Sequence, residues 1–196
     1  LARMKRLETH AAPSGAGKST IFALILGEIT PDSGTLAVEG EPRIGHLRQQ
    51  FNPYESDSAL IEHAEGGRRD LIETHRQIEE LEKKLKESKG NDLKADLAHL
   101  GRLQSLFEAE GGYTVRARAG AALCGLGFSE DKLSMPFNSF SGGWQMRAEL
   151  ARVLVAEPDL LLLDEPTNYL DIPAIEWLRG FLEGFDGTLM LISHDR

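Results

Sequence analysis

One cysteine, Cys124, stands alone in 196 residues. No internal disulfide can brace the chain, and a reducing compartment is expected. No apolar run approaches the ~18 residues that cross a bilayer, and the first residues carry no secretory apolar segment. Neither a membrane span nor a leader is therefore expected. Positive charge is in the minority: 22 Lys and Arg stand against 31 Asp and Glu, a net charge of −9. That excludes a generally basic, nucleic-acid-coating protein and leaves room only for a local basic patch. Internal repeats and low-complexity tracts are also missing. What the chain does have is 41% apolar and 27% charged residues, enough to bury a core. At ~100–200 residues per domain it holds one domain, or one with a small insertion. A soluble, cytoplasmic α/β protein is the starting expectation.

The chain changes grammar twice. Early on, Ile21, Leu24, Ile25 and Ile29 recur at helical spacing directly after Lys18-Ser19-Thr20. This predicts a helix that Pro31-Asp32-Ser33-Gly34 stops. Residues 35–38 and 43–47 read as short strands. Residues 58–136 read as mainly helical. Leu71, Ile78, Leu81 and Leu85 form one stripe, and Leu93, Leu97, Leu100, Leu103 and Phe107 form another. Lys89-Gly90-Asn91-Asp92 between them is turn material, so an antiparallel helical hairpin is expected over 67–110. Gly111-Gly112 breaks the chain before a further helix at about 114–126. The α/β grammar then resumes, with a helix opened by Ser141-Gly142-Gly143 and running to about Glu157. Leu160-Leu161-Leu162-Leu163 suits a strand buried on both faces. A helix at about 173–182 and a second buried strand at 188–192 complete the reading.

Gly15-Ala16-Gly17-Lys18-Ser19-Thr20 is the strongest local signal. Its glycines let successive amides converge on phosphate oxygens, and the helix behind adds its positive end. In a phosphate loop, Lys18 reaches the β- and γ-phosphates and Ser19 ligates Mg²⁺. The nucleotide-binding candidates are Ser14, Gly15, Ala16, Gly17, Lys18, Ser19 and Thr20. The plain alternative is a glycine-rich turn that caps a helix. Two features depart from the pattern. Ala12 stands where glycine is usual, which costs ~1–2 kcal/mol if the backbone there is left-handed. The preceding Lys5-Arg6-Leu7-Glu8-Thr9-His10 is also polar where an apolar strand is expected.

The leucine run ends in Asp164-Glu165, a match to a Walker B strand. Such a strand delivers carboxylates at its carboxyl end, where α/β sheets bind ligands. Asp164 is the candidate Mg²⁺ ligand, and Glu165 is placed to polarise an attacking water. A strand that merely ends in a polar turn is the bland reading, and the phosphate loop weighs against it.

Five motifs then occur in one order. They are Ala16-Gly17-Lys18-Ser19-Thr20, Phe140-Ser141-Gly142-Gly143-Trp144, Leu162-Leu163-Asp164-Glu165-Pro166-Thr167-Asn168, Leu170-Asp171 and Ile192-Ser193-His194-Asp195-Arg196. Together, over roughly residues 12–196, they resemble the nucleotide-binding domain of ATP-binding-cassette proteins. Trp144 after Ser-Gly-Gly, with Asp-Glu-Pro-Thr-Asn and Ser-His-Asp-Arg, resembles the soluble ABC-F subfamily in particular. The resemblance implies a P-loop NTPase fold: an α/β cassette with a mainly helical subdomain and an inserted antiparallel helical hairpin. It implies that Gln49 (Gln50 if the register slips) is the Q-loop glutamine, which senses Mg²⁺ and the γ-phosphate. Ser141, Gly142 and Gly143 would form the signature loop, which contacts ATP held by a different cassette. Asp171 would be the D-loop aspartate and His194 the switch histidine. The implied sets are therefore Glu165, His194 and Gln49 for catalysis, and Ser19, Gln49 and Asp164 for metal.

The same resemblance implies a discontinuous ATP-binding core over 1–57 and 137–196, with a helical subdomain over 58–136. The family's adenine-stacking aromatic falls before Leu1 and the closing elements after Arg196, so an incomplete first cassette of a tandem protein is expected. A second cassette is an implied partner. In ABC-F proteins the hairpin is an arm that reaches ribosomal elements. Here the tip, Lys83 to Lys94, holds five lysines against two acids, and the stem, Asp70 to Glu82, holds five acids against one arginine. A basic tip on an acidic stem suits RNA phosphates, although lysines near a helix C-terminus also complement its dipole. The expected function is Mg-dependent ATP hydrolysis in translation on the ribosome, without a membrane. The alternatives are the ATPase subunit of a transporter, disfavoured by Trp144 and the lysine-tipped hairpin, and a degenerate scaffold cassette, motivated by Ala12. Trp144, Trp177 and the other five histidines read as packing or surface residues, and Cys124 as a buried apolar filler.

Overall fold

The computed structural model describes residues 18–48, 57–87 and 93–193. The first helix, α1 (Lys18–Ile25), is shorter than its apolar spacing predicts. Gly27 at φ 69° takes the left-handed conformation that closes helices, and its N–H bonds to the Leu24 carbonyl at 3.0 Å. Ile29 therefore falls outside α1 and stays exposed. Strand β1 (Ile44–Leu47) follows. The strand expected over 35–38 does not form: Leu36 and Val38 are exposed, and no strand among the described residues pairs with them. Four residues of apolar alternation cannot hold a strand without a neighbouring ladder.

The helical stretch comprises α2 (Leu60–Glu65), a 3-10 turn (Gly66–Arg68), α3 (Arg69–Glu87), α4 (Leu93–Ala109), a turn at Gly112–Thr114 and α5 (Val115–Gly125). Then come α6 (Gly142–Val155), β2 (Leu160–Asp164), α7 (Ile172–Glu183) and β3 (Thr188–Ile192). The sheet is parallel throughout, in the order β1-β2-β3. Its central strand explains the leucine run. Leu161, Leu162 and Leu163 are each 0% exposed, worth roughly 1.5–3 kcal/mol apiece in apolar burial. Leu162 joins Phe22 of α1 and Ile192 of β3 in one cluster. Leu161 and Leu163 join the larger core, with Leu150 and Leu154 of α6 and Leu123 of α5. The sheet thus lies between α1 and the helical stretch.

Helices α3 and α4 form the expected hairpin, but its apolar seam is uneven. Leu71, Ile78 and Phe107 are buried, whereas Leu93 and Leu97 are 44% and 52% exposed. Toward the tip, polar links replace the seam: Lys84 pairs with Asp96 at 2.7 Å, and Gln104 donates to Glu82 at 3.3 Å. The expected turn at 89–92 lies outside the described residues. Cys124 is exposed, not buried as its Ala-Leu-Cys-Gly-Leu setting suggests, because α5 turns Leu123 and Ala122 inward instead. Among the described residues, no helix is long and apolar enough to cross a membrane.

Candidate functional site

Two groups of candidate residues are on view, joined by one short turn. The first is built on β2. Asp164 closes the strand and is 6% exposed, paired in register with Ile192 of β3. The next residue, Glu165, sits at φ 53°, a left-handed conformation that side chains other than glycine rarely adopt. Two backbone bonds hold it there: its N–H donates to the Ile192 carbonyl at 2.8 Å, and its carbonyl accepts from Asn168 at 3.2 Å. On one face of the sheet lies α1, the helix that Lys18, Ser19 and Thr20 open. Phe22 anchors it on Leu162, two residues before Asp164, and meets His46 of β1 edge-on at 5.7 Å. Burial and the nearby Arg48 hold His46 below its ordinary pKa, against Glu28 and Asp164.

The second group is built on the start of α6. Ser141 is its N-cap in extended conformation and, like Gly142, is exposed. A Cβ added at Gly143 would stand 3.4 Å from the Tyr169 ring. Asp171 caps α7: its Oδ1 accepts from the Ala174 N–H at 3.1 Å, with Pro173 in the first turn as helix starts favour. That bond and the Arg147 guanidinium hold its carboxyl below the usual range. Arg147 was not a candidate. It stacks over Trp144 at 4.5 Å and donates to the Tyr169 carbonyl at 2.6 Å and to Asp171 at 3.2 Å. A signal existed, since a cation three residues after a tryptophan in a helix shares its face.

Ser14, Gly15, Ala16, Gly17, Gln49, Gln50 and His194 lie outside the described residues, as does Ala12. No cluster of three His, Cys, Asp or Glu able to hold a metal occurs among the described residues. Mg²⁺ in nucleotide sites takes one or two carboxylates plus phosphates and water. One buried aspartate at a strand end therefore fits that ion.

A profile of the family described as ABC transporter matches residues 12–168. The chain belongs to that family. Its relatives are consistent with an ABC-F-type cassette. The Escherichia coli (strain K12) protein named "Probable ATP-binding protein YheS" is 39% identical over 183 residues, covering 93% of this chain and 27% of its own length. ABC transporter F family member 5 of Arabidopsis thaliana is 38% identical over 192 residues, with the same coverage of both. The cassette thus spans about a quarter of the length of these relatives. Among solved structures, an ATP binding subunit of an ABC transporter shares its fold, with a TM-score of 0.61 and 21% identity over 93% of this chain and 65% of that one. The ABC-F relatives do not favour the alternative of a transporter subunit.

Proposed function

We propose that this cassette binds ATP with Mg²⁺ and hydrolyses it, in a cytoplasmic ABC-F-type protein that acts on the ribosome in translation. The observation that carries the reading is the end of β2. A buried carboxylate, Asp164, is followed at once by a second, Glu165, on a left-handed residue, and the strand that carries them packs through Leu162 on Phe22 of the helix opened by Lys18. In this reading Ser14 to Thr20 wrap the phosphates, with the Lys18 ammonium on the β- and γ-oxygens. Asp164, Ser19 and Gln49 hold the metal. Mg²⁺, when bound, neutralises charge that develops on the phosphate oxygens. Glu165 orients the attacking water and draws its proton, and His194 steadies the γ-phosphate. The exposed N-terminus of α6, with Ser141, Gly142 and Gly143 beside Asp171, is suited to a phosphate held by a second cassette. That cassette lies in the same full-length chain or in a dimer partner.

The domain division follows the same reading: an ATP-binding core over 1–57 and 137–196, and a helical subdomain over 58–136. The hairpin over 67–110 is the element that meets ribosomal RNA. Segregation of its charge supports this, although Asp96 neutralises Lys84 within the hairpin. The test uses the full-length protein. Glu165→Gln should retain Mg-ATP binding while hydrolysis falls about 100-fold or more. Deleting 67–110 should abolish co-sedimentation with ribosomes and spare ATP binding. Unchanged turnover in the first variant removes Glu165 from its role, and unchanged sedimentation in the second removes the hairpin from ribosome contact.

A further inference from the structure

The base of the hairpin is closed by a charge that has no access to water. Arg68 ends the 3-10 turn before α3, and its side chain is 1% exposed. Its guanidinium forks three ways. Nε and Nη2 hold Asp70, at the foot of α3, at 3.0 and 2.9 Å. Nη2 and Nη1 hold Glu110, just past the foot of α4, through its carboxylate at 3.0 Å and its carbonyl at 3.4 Å. Nη1 also donates to Glu157 at 3.3 Å.

Glu157 belongs to neither leg of the hairpin. It turns the chain from α6 into β2, at φ 48°. Three residues later β2 begins, and it ends in Asp164. Other groups pin the same turn. Arg118 of α5 pairs with Glu157, and Arg43 donates to the Ala156 and Glu157 carbonyls at 3.2 and 3.3 Å. Arg43 also reaches Glu110 at 3.5 Å, and its N–H donates to Asp159 at 2.8 Å. Arg43 directly precedes β1, which leads toward Gln49. Gly67 presses on α6 so closely that a Cβ there would collide with the Arg152 carbonyl.

A buried guanidinium cannot exchange these partners for water when a leg shifts. Its donors reach both legs and the α6–β2 turn, so a leg that moves alone breaks charge-assisted hydrogen bonds that the buried nitrogens cannot remake with water. The cheaper response is for both legs and the α6–β2 turn to move as one body. We propose that Arg68 is a positioning residue for the nucleotide chemistry, clamping both feet of the hairpin to the head of the strand that carries Asp164 and Glu165. The orientation of the hairpin and the state of the nucleotide site are thereby linked. This rests on the ATPase reading above and adds to it a path through Glu157, separate from the loop that contains Gln49.

The experiment uses full-length protein and three variants. Arg68→Lys keeps the charge but not the fork. Glu157→Gln keeps the shape but not the charge, and serves if the first variant fails to fold. Arg76→Ala, on the exposed face of α3, is the control. Amide hydrogen exchange of α3, α4 and β2 is compared with Mg-ADP and with a non-hydrolysable Mg-ATP analogue, alongside nucleotide affinity and steady-state hydrolysis. In wild type and control, exchange in the hairpin should change between the two nucleotides. In Arg68→Lys and Glu157→Gln that difference should disappear. Nucleotide affinity and KM should stay within about twofold while kcat falls about fivefold or more. Hairpin exchange that responds to nucleotide in both clamp variants as it does in wild type overturns the proposal. So does normal nucleotide binding by wild type with no response in the hairpin, which leaves the ATPase reading intact. Wild type that binds no nucleotide sinks that reading, and this inference with it.

Discussion

Arg147 and Asp171 meet at 3.2 Å, and that contact ties the helix opened by Ser141 to the helix that follows Glu165. The same guanidinium also serves the Tyr169 carbonyl at 2.6 Å and the Leu126 carbonyl at 3.1 Å, with its side chain only 11% exposed. Arg147→Ala leaves those carbonyls without this donor and removes the nearer of two cations over Trp144, with Lys132 remaining at 5.5 Å. Stability should fall by about 2 kcal/mol, read from the denaturant midpoint at constant slope. Arg147→Lys should recover less than half of the loss, because a point charge cannot serve three divergent acceptors. A loss of under about 0.5 kcal/mol for the alanine variant would place these bonds among the surface contacts that contribute little.

Glu165 illustrates a conflict between stability and chemistry. Its φ of 53° is strained for any residue with a Cβ, yet the reading above needs a carboxylate there. Glu165→Gln and Glu165→Gly both remove the carboxylate, and only glycine relieves the backbone. Neither should hydrolyse ATP at a wild-type rate. The glycine variant should be more stable than the glutamine variant by about 1 kcal/mol, since relief of strain outweighs the extra freedom of its unfolded chain. Equal denaturation midpoints for the two would show that this backbone conformation carries no strain worth relieving.

Glu149 makes the fold sensitive to acid. Burial alone would push its carboxyl up, but hydrogen bonds from His63 at 3.1 Å and from Arg152 outweigh that and hold it at about 2, below its ordinary 4.5. A carboxyl depressed by folding contributes fully above its unfolded value and loses that contribution as pH falls through the folded one. The window therefore runs from 4.5 down to about 2, and the displacement corresponds to about 3 kcal/mol at most. Glu149→Gln should lower stability at neutral pH and flatten the decline across that window. Urea midpoints for both proteins at several pH values test this, and parallel curves would reject Glu149 as the source.

The legible parts of this fold are those written in short-range pattern. Four leucines in a row gave β2, and apolar spacing of three and four gave α3 and α4. The helix expected at about 173–182 forms as Ile172–Glu183, and the capping by Asp171 emerged only from the structure. What stayed hidden depends on residues far apart in the chain. Arg68 drew no reading of its own from the sequence, because the partners that surround it, Asp70, Glu110 and Glu157, come together only in the fold. Leu36 and Val38 have the alternation of a strand, but no strand among the described residues pairs with them. Gly27 ended α1 before the proline turn, because one left-handed residue outweighs the apolar spacing of Ile29. At the site, Asp164 and Glu165 were visible as residue types, whereas the left-handed backbone of Glu165 was not.

Glycine also decides how α5 meets α7. Gly125 ends α5 directly against the Trp177 indole, and an added Cβ would fall inside that ring. Trp177 in turn stacks on Phe181, with centroids 5.7 Å apart. Gly125→Ala must push the indole off this stack, at a cost of about 1–3 kcal/mol from overpacking. Gly180, on the exposed side of α7, meets nothing within 4 Å. Gly180→Ala should therefore gain about 0.5–1 kcal/mol from helix propensity alone. The two substitutions are chemically identical and should move the thermal midpoint in opposite directions. Only Gly125→Ala should change the near-ultraviolet circular dichroism of the tryptophans. Opposite signs locate the effect in contact with Trp177, and a gain at both positions would mean that α5 and α7 are not packed as closely as the structure has them.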